Sequence, residues 1–188
     1  KPIPLEDLLG RESSQSTFHG MKPFFKNSVC FVSGAGGSIG SELCRTLKSF
    51  TPSKIIIFER SEPSLFALEQ ELISTIDPKI SLIPILGCAQ DKDLLISIFE
   101  SHKVDYVFHA AAYKHVPLVE PNPLQGILNN VFSTEAICKA ALNSNVKKVT
   151  LISSDKAVRP TNIMGASKRL AELLVQAYSG IENKKKFS

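Results

Sequence analysis

A glycine-rich run between two apolar segments is where residue types and spacing most directly suggest chemistry. The run GAGGSIG at 34–40 follows a β-prone segment at 28–33 and precedes a segment at 38–50 whose apolar residues recur every four positions. Glycines at a strand-to-helix turn allow a tight turn, close approach of a pyrophosphate and tight helix packing. Free amides at the start of the helix then attract an anion. These residues are the predicted nucleotide phosphate site: Gly34, Gly36, Gly37, Ser38, Ile39 and Gly40.

Two oppositely charged residues, Glu59 and Arg60, follow the apolar run at 54–58, and Glu59 lies 19 residues beyond Gly40. A carboxylate at this place accepts hydrogen bonds from an adenosine ribose diol and repels a 2′-phosphate. The prediction is therefore a nicotinamide dinucleotide site that favours NAD. NADP stays an alternative, because Arg60 could pair with a phosphate. A second alternative is that Glu59 and Arg60 are only a solvated ion pair at the end of a strand.

These polar positions must be held by regular elements, which the apolar pattern predicts along most of the chain. The predicted strands are at 28–33, 54–58, 80–86, 104–109 and 146–153, and the predicted helices are at 38–50, 65–76, 91–102, 123–143 and 164–179. Strands that alternate with helices form right-handed crossovers and a parallel sheet. We therefore expect an α/β fold, a doubly wound parallel sheet of the Rossmann type, over residues 28–188. Residues 1–27 are predicted to be an irregular arm or linker.

Small and polar residues follow the fourth and fifth predicted strands. Asp155 and Lys156 come directly after the fifth strand. Open α/β sheets bind ligands at the carboxyl ends of their strands, which favours a functional pair here over a solvated surface pair. Candidates for cofactor contacts follow the fourth strand: Ala110, Ala111, Ala112, Lys114 and Asn130.

Composition excludes several classes of protein. The chain has 188 residues, enough for one domain, with 43% apolar residues and a formal net charge of +4, which is too small to indicate a nucleic-acid partner. No apolar run approaches the roughly 20 residues that span a bilayer, and no signal peptide is recognisable. The four cysteines lack metal-site spacing and are interpreted as buried free thiols of a reducing compartment, so no metal site is predicted. We therefore expect a soluble, intracellular type of domain.

The motifs together resemble the nucleotide-sugar 4,6-dehydratases of polysaccharide biosynthesis, which act in capsule and O-antigen synthesis within the extended short-chain dehydrogenase/reductase superfamily. The blocks HAAAYKHVP and SSDKAVRPTNIMGASKR are specific to this branch. The stretches that match are LEDLLGR (5–11), SGAGGSIGSELCR (33–45), FERSE (58–62), PILG (84–87), VDYVFHAAAYKHVPLVEPNP (104–123), NNV (129–131) and SSDKAVRPTNIMGASKR (153–169).

This resemblance implies a lyase that binds a UDP-N-acetylhexosamine, commonly UDP-N-acetylglucosamine. Such enzymes oxidise C4 with a tightly bound nicotinamide cofactor, eliminate water across C5 and C6, and return the hydride to C6. By resemblance, Ser154 hydrogen-bonds the C4 oxygen, Asp155 assists loss of the C6 hydroxyl, and Lys156 is the base. Lys168 matches the lysine that holds the nicotinamide ribose.

The position of the superfamily's tyrosine, four residues before Lys168, is occupied here by Met164. Methionine cannot exchange a proton. The same replacement marks the larger, membrane-anchored members of the family, so it indicates a subfamily rather than an inactive enzyme. Deprotonation at C4 would then pass to Lys156, or to Lys168 through water.

Other features set further expectations. The family usually has aspartate in place of Cys88, contacting the adenine amine, and glycine in place of Ser133. By resemblance, the chain stops before the substrate-binding C-terminal portion, so we expect a weakly active or inactive fragment. Its parent is expected to be a homo-oligomer anchored at the cytoplasmic face of the inner membrane. A nucleotide-sugar 4-epimerase and a non-catalytic nucleotide-binding module are the alternative functions.

Overall fold

One parallel sheet organises the part of the chain that the computed structural model describes, residues 15–181 and 186–188. Its strands are β1 (Val29–Ser33), β2 (Lys54–Glu59), β3 (Ser81–Leu86), β4 (Tyr106–His109), β5 (Lys148–Leu151) and β6 (Lys186–Phe187). The strand order is β3-β2-β1-β4-β5-β6, so the chain moves outward from β1 first in one direction and then in the other. The five predicted strands are confirmed. The sixth strand, β6, was not predicted and pairs with β5 through only two residues.

Helices connect the strands and cover the sheet. They are α1 (Gln15–Phe25), α2 (Ser38–Lys48), α3 (Glu62–Ile73), α4 (Lys92–His102), α5 (Val116–Val119), α6 (Pro123–Ile127), α7 (Ser133–Leu142) and α8 (Ile163–Ile181). A π-helical turn (Leu128–Phe132) joins α6 to α7, and a 3₁₀ turn (Asp155–Ala157) follows β5. The prediction of one continuous helix over 123–143 is therefore wrong in its interior.

The central strands are buried on both faces, which explains their unbroken apolar sequences. In β2, Ile55 and Ile57 face the layer formed by α2 and α3, whereas Ile56 and Phe58 face the layer formed by α4, α7 and α8. Side chains alternate between the two faces because successive residues of a strand point in opposite directions. Because every strand pair is parallel, the carboxyl ends of the strands lie at one edge of the sheet.

The prediction of an irregular segment before residue 28 needs correction, because α1 occupies its second half. Phe25, the last residue of α1, is buried, and its ring centroid lies 4.9 Å from that of Tyr106, 5.6 Å from Phe50 and 5.9 Å from Phe108. Packing of this aromatic cluster stabilises a helix whose internal Pro23 disfavours helix formation. Residues 1–14 lie outside the described residues, and the domain boundary at 28 stays a prediction.

The cysteines are all free thiols, but only three are buried as predicted. Burial raises the pKa of Cys30, Cys44 and Cys138 to about 12 in each case. Cys88 is exposed, because it follows β3 at the carboxyl edge of the sheet rather than lying inside a strand. None of the helices in the described ranges is long and apolar enough to cross a membrane.

Candidate functional site

Two neighbouring grooves lie at the carboxyl edge of the sheet. The glycine-loop groove is lined by Gly34, Gly36, Gly37, Phe58, Glu59, Arg60, Ser64, Gly87, Cys88, Ala89, Gln90, Ala110, Ala111, Ala112, Tyr113, Asn129 and Ser133. The Lys168 groove is lined by Ile39, Ala110, Ala112, Tyr113, Lys114, His115, Ile152, Ser153, Ser154, Lys156, Met164 and Lys168. Three residues, Ala110, Ala112 and Tyr113, line both. The two grooves are therefore neighbouring parts of one surface.

The glycine loop packs so closely that side chains are excluded from it. Gly34 has a φ of 65°, and a Cβ there would lie 2.6 Å from the Ala111 Cα and backbone nitrogen. A Cβ on Gly40 would lie 2.1 Å from the Gly34 carbonyl oxygen. No side chain caps α2 at Gly37, so the amides and positive dipole of the helix start are open to an anion.

The predicted phosphate residues do not all face the same groove. Gly34, Gly36 and Gly37 line the glycine-loop groove, whereas Ile39 lines the Lys168 groove. Gly40 is buried beneath the loop, where it allows α2 to approach Gly34. Ser38 is exposed at the first position of α2 and lines neither groove.

The Glu59 carboxylate is held by backbone amides. Its Oε2 accepts a hydrogen bond from the Gly36 amide at 3.1 Å, and its Oε1 accepts from the amides of Arg60 at 2.9 Å and Ser61 at 3.0 Å. These contacts join the end of β2 to the glycine loop. They leave the carboxylate at the rim of the groove, where it can still accept hydrogen bonds through its remaining lone pairs.

Arg60 turns away from Glu59, and none of the ion pairs among the described residues joins the two. Its guanidinium donates to Asn129 Oδ1 at 3.3 Å and to the Tyr113 hydroxyl, and lies 4.8 Å from the centroid of the Tyr113 ring. The alternative of a solvated Glu59–Arg60 ion pair is thus wrong. Tyr113 and Asn129 belong to the groove but were not predicted.

Asn130 is buried and fixes the loop that follows β4. Its Oδ1 accepts from the Tyr113 amide at 2.7 Å, and its Nδ2 donates to the Tyr113 carbonyl at 3.0 Å and to Ser167 Oγ at 2.9 Å. It lines neither groove, so the structure gives it a positioning role between the β4 loop and α8. Its predicted cofactor contact stays a prediction.

A buried histidine connects β1, β4 and the start of α7. His109 Nδ1 lies 2.6 Å from Ser33 Oγ, and His109 Nε2 lies 3.3 Å from Ser133 Oγ. Ser133 donates its single hydroxyl hydrogen to the Asn129 carbonyl, so Nε2 must carry the ring hydrogen and Ser33 must donate to Nδ1. Burial lowers the pKa of His109 to about 3, with a smaller contribution from the charge of Lys168. His109 is therefore neutral at pH 7.

Met164 and Lys168 lie one turn apart on α8, and both line the Lys168 groove while being buried. The Lys168 ammonium donates to the Ile152 carbonyl at 2.6 Å. Burial lowers the pKa of Lys168, and the nearby charge of Glu172 partly opposes this shift. The groove thus holds a lysine that loses its proton more easily than an exposed one, beside an apolar side chain.

The turn after β5 brings part of the predicted catalytic set to the same groove. Ser154 and Lys156 line the Lys168 groove, whereas Asp155 is exposed and lies outside its lining. Ser154 Oγ donates to Asp155 Oδ1 at 3.0 Å and accepts from the Lys156 amide at 3.2 Å. A Cβ on Gly165 would lie 2.3 Å from the Lys156 carbonyl oxygen, so α8 packs directly against this turn.

The remaining predicted residues follow β4. Ala110 and Ala112 line both grooves and Ala111 lines the glycine-loop groove, where their small side chains leave the space open. Lys114 is exposed at the rim of the Lys168 groove. Within the described parts of the chain, no three histidine, cysteine, aspartate or glutamate side chains are grouped as metal ligands would be.

The profile of a family described as "Polysaccharide biosynthesis protein" matches residues 30–188. The chain belongs to this family. The resemblance inferred from the motifs is thereby confirmed. A solved structure titled "X-ray structure of Pen from Bacillus thuringiensis" superimposes with a TM-score of 0.80 at 34% identity, over 87% of this chain and 51% of that one. The predicted Rossmann-type fold is confirmed as well.

Curated proteins similar to this member of the polysaccharide biosynthesis family are considerably longer. The capsular polysaccharide biosynthesis protein CapD of Staphylococcus aureus is 40% identical over 100% of this chain and 31% of its own length. A UDP-N-acetylglucosamine 4,6-dehydratase (inverting) of Campylobacter jejuni is 33% identical over 86% of this chain and 46% of its own length. A UDP-glucose 4-epimerase of Rickettsia felis is 40% identical over 81% of this chain and 44% of its own length. The chain thus spans less than half of each.

Proposed function

We propose that this chain is the dinucleotide-binding part of a UDP-N-acetylhexosamine 4,6-dehydratase that acts in the synthesis of bacterial surface polysaccharide. The observation that carries this proposal is the continuity of the two grooves through Ala110, Ala112 and Tyr113. A dinucleotide with its ribose at Glu59 and its pyrophosphate over the glycine loop would extend toward Lys168. The sugar would then lie beside Ser154 and Lys156.

The cofactor that best fits the glycine-loop groove is NAD. The open amides at the start of α2 suit a pyrophosphate, and Glu59 is held where it can accept hydrogen bonds from a ribose diol. A 2′-phosphate at that position would meet the negative charge of Glu59. When bound, NAD would take up the hydride from C4 of the sugar and return it to C6.

The chain's own residues would supply binding and proton transfer. Ser154 would hold the C4 oxygen, and Lys168 would hold the nicotinamide ribose. Once C4 is a ketone, the C5 proton is acidic, so a base at C5 and an acid at the C6 hydroxyl complete the loss of water. We assign these roles to Lys156 and Asp155, and Asp155 would have to turn from its exposed position toward the groove.

Met164 supplies no proton acceptor for the first oxidation. Lys156 and Lys168 both line the groove that contains Met164, and the pKa of Lys168 is lowered by burial. We propose that Lys156 takes the C4 hydroxyl proton and releases it to solvent before it accepts the C5 proton. The alternative is that Lys168 takes the C4 hydroxyl proton through water. UDP-sugar binding, membrane anchoring of the parent and self-association stay predictions.

A nucleotide-sugar 4-epimerase is a second candidate, because the Rickettsia felis relative carries that name at 40% identity. Epimerases of this superfamily rely on the tyrosine hydroxyl that Met164 replaces, and they do not need an acid and base for elimination. The Asp155–Lys156 pair therefore favours the dehydratase.

The test is to incubate the full-length protein that contains this chain with NAD and UDP-N-acetylglucosamine and to follow the product by mass spectrometry. Loss of one water is the expected result, whereas an unchanged mass with an altered sugar spectrum would indicate epimerisation. Replacing a base or acid at the reacting centre typically slows a reaction about 100-fold or more, so Lys156→Ala should do so. The matched control is Lys92→Ala, at the exposed start of α4, which should retain normal turnover. Full turnover by Lys156→Ala would exclude Lys156 as the base.

A further inference from the structure

Arg60 is next to the proposed ribose carboxylate, yet its side chain is engaged elsewhere. An arginine beside the ribose site is the usual means by which this type of fold accommodates a 2′-phosphate. The Arg60 guanidinium instead contacts two residues, the hydroxyl and ring of Tyr113 and the side-chain oxygen of Asn129. We call these two residues the Arg60 anchor.

The anchor draws Arg60 across the glycine loop. Arg60 follows β2 and Tyr113 follows β4, and these strands flank β1, whose carboxyl end carries the loop. A contact between residues from β2 and β4 must therefore pass over the end of β1. All three residues line the glycine-loop groove together with Gly34. Arg60 is thus directed along the groove toward Tyr113 and away from the Glu59 carboxylate.

The anchor residues are themselves held in place. The backbone amide and carbonyl of Tyr113 both bond to the buried Asn130 side chain, at 2.7 and 3.0 Å. Asn129 Nδ2 donates to Asn130 Oδ1 at 3.1 Å. Because Asn130 bonds to both anchor residues, it fixes the positions of the Asn129 side-chain oxygen and the Tyr113 ring that contact Arg60.

We propose that Tyr113 and Asn129 are specificity-determining residues, which select NAD over NADP by withholding Arg60 from the ribose 2′ position. The inference rests on the proposed function, because it assigns the ribose to Glu59. Glu59 repels a 2′-phosphate, and the anchor removes the neighbouring cation that would otherwise compensate that repulsion. Selectivity for NAD then depends on the contacts of Tyr113 and Asn129 with Arg60, as well as on Glu59 at the end of β2.

The test is to measure binding of NAD and of NADP to the chain by isothermal titration calorimetry, before and after the anchor is removed. The double variant Tyr113→Leu with Asn129→Ala removes the ring, the hydroxyl and the amide oxygen that hold the guanidinium. We expect NADP affinity to rise about tenfold relative to NAD affinity, as for one charge-assisted hydrogen bond. Adding Arg60→Ala to that variant should abolish the gain. Tyr178→Leu, on α8 and outside both grooves, is the matched control and should leave the ratio unchanged.

An unchanged NADP to NAD ratio in the double variant would overturn the inference. If the double variant does not fold, Arg60→Ala alone decides. If Arg60 is held away from the ribose, this variant should lose no NADP affinity relative to NAD. A tenfold loss would show that Arg60 already binds the 2′-phosphate and would overturn the inference. Failure of the unaltered, folded chain to bind either dinucleotide would instead contradict the proposed function. The two failures are therefore distinguishable.

Discussion

The two grooves differ in whether backbone atoms or side chains determine their properties. In the glycine-loop groove, backbone atoms set the geometry: Gly34 contacts Ala111 closely, and Glu59 is oriented by the Gly36 amide. In the Lys168 groove, side chains provide the functional groups. Lys168 is buried against the Ile152 carbonyl, whereas Lys156 is exposed at the turn after β5.

This difference parallels the proposed roles, which are cofactor binding in the glycine-loop groove and proton transfer in the Lys168 groove. The glycine-loop backbone is intolerant of added volume, because a Cβ on Gly34 or Gly40 would overlap neighbouring backbone atoms. A groove that depends on ionisable side chains responds to protonation and to the rotamers of a few residues. Substitutions at the loop glycines should therefore act sterically, whereas substitutions of Lys156 and Lys168 should act electrostatically.

The largest expected effect comes from adding a methyl group to the glycine loop. Gly34→Ala places a Cβ 2.6 Å from the Ala111 backbone at a φ of 65°. The left-handed conformation and the overlap together should lower the free energy of unfolding by roughly 3 kcal/mol. Distortion of the loop should weaken NAD binding at least about a hundredfold, equivalent to roughly 3 kcal/mol. Urea unfolding and calorimetric titration measure the two effects.

The matched control is Gly20→Ala on α1, where a Cβ would have nothing within 4 Å. Alanine in a helix interior is about 0.5–1 kcal/mol more favourable than glycine, so this variant should be at least as stable as the unaltered chain and bind NAD normally. Equal behaviour of the two variants would refute a sterically determined groove.

An effect on stability alone is expected from acid, through the buried His109. The folded pKa of His109 is about 3, below the ordinary value of 6.5, so the unfolded chain binds a proton more readily between these values. Stability should be complete above pH 6.5 and should fall as the pH decreases toward 3. The loss attributable to His109 should be on the order of 3 kcal/mol by pH 4.

The measurement is the free energy of unfolding at pH 7 and pH 4 for the unaltered chain and for His109→Gln. Other groups also titrate, so the difference between the two chains is the quantity that reports His109. The variant should lose less stability on acidification, whereas His115→Gln, at an exposed position, should match the unaltered chain. Equal losses for His109→Gln and the unaltered chain would contradict a buried, neutral His109.

Local patterns in the sequence predicted the parts of the fold that depend on local periodicity. The unbroken apolar run of β2 indicates burial on both faces, and the four-residue spacing of Met164 and Lys168 places both on one side of α8. The glycine spacing likewise indicates a turn with open amides. Each of these features depends on residues that lie close together in the sequence.

Contacts between distant residues were not predictable in the same way. Arg60 meets Tyr113 and Asn129 across 53 and 69 residues of sequence, and no periodicity links them. The π-helical turn coincides with two hydroxyl groups that bond to its carbonyls: Ser133 bonds the Asn129 carbonyl, and Thr134 bonds the Asn130 carbonyl. Such side-chain bonds to the preceding turn compete with regular helical bonding, so the pattern predicted a continuous helix instead.

The smallest expected effect is a gain in nucleotide affinity at the glycine-loop groove. Cys88 is exposed and lines the groove, directly after Gly87, where a Cβ would lie 2.6 Å from the Phe58 ring. The backbone at position 88 is therefore held close to β2, and a carboxylate there should reach the adenine amine. Cys88→Asp should strengthen ADP binding a few-fold, because one net hydrogen bond contributes about 1 kcal/mol.

Inosine diphosphate separates this contact from a general effect of charge. Its base carries an oxygen in place of the adenine amine, so Cys88→Asp should not strengthen its binding, and the added negative charge should weaken it slightly. Cys88→Ala serves as the matched control and should leave the affinities for both nucleotides close to those of the unaltered chain. A gain for both nucleotides would place the effect in the loop rather than at the base. A gain for ADP alone would show that a groove shaped by backbone can acquire base recognition through one exposed side chain.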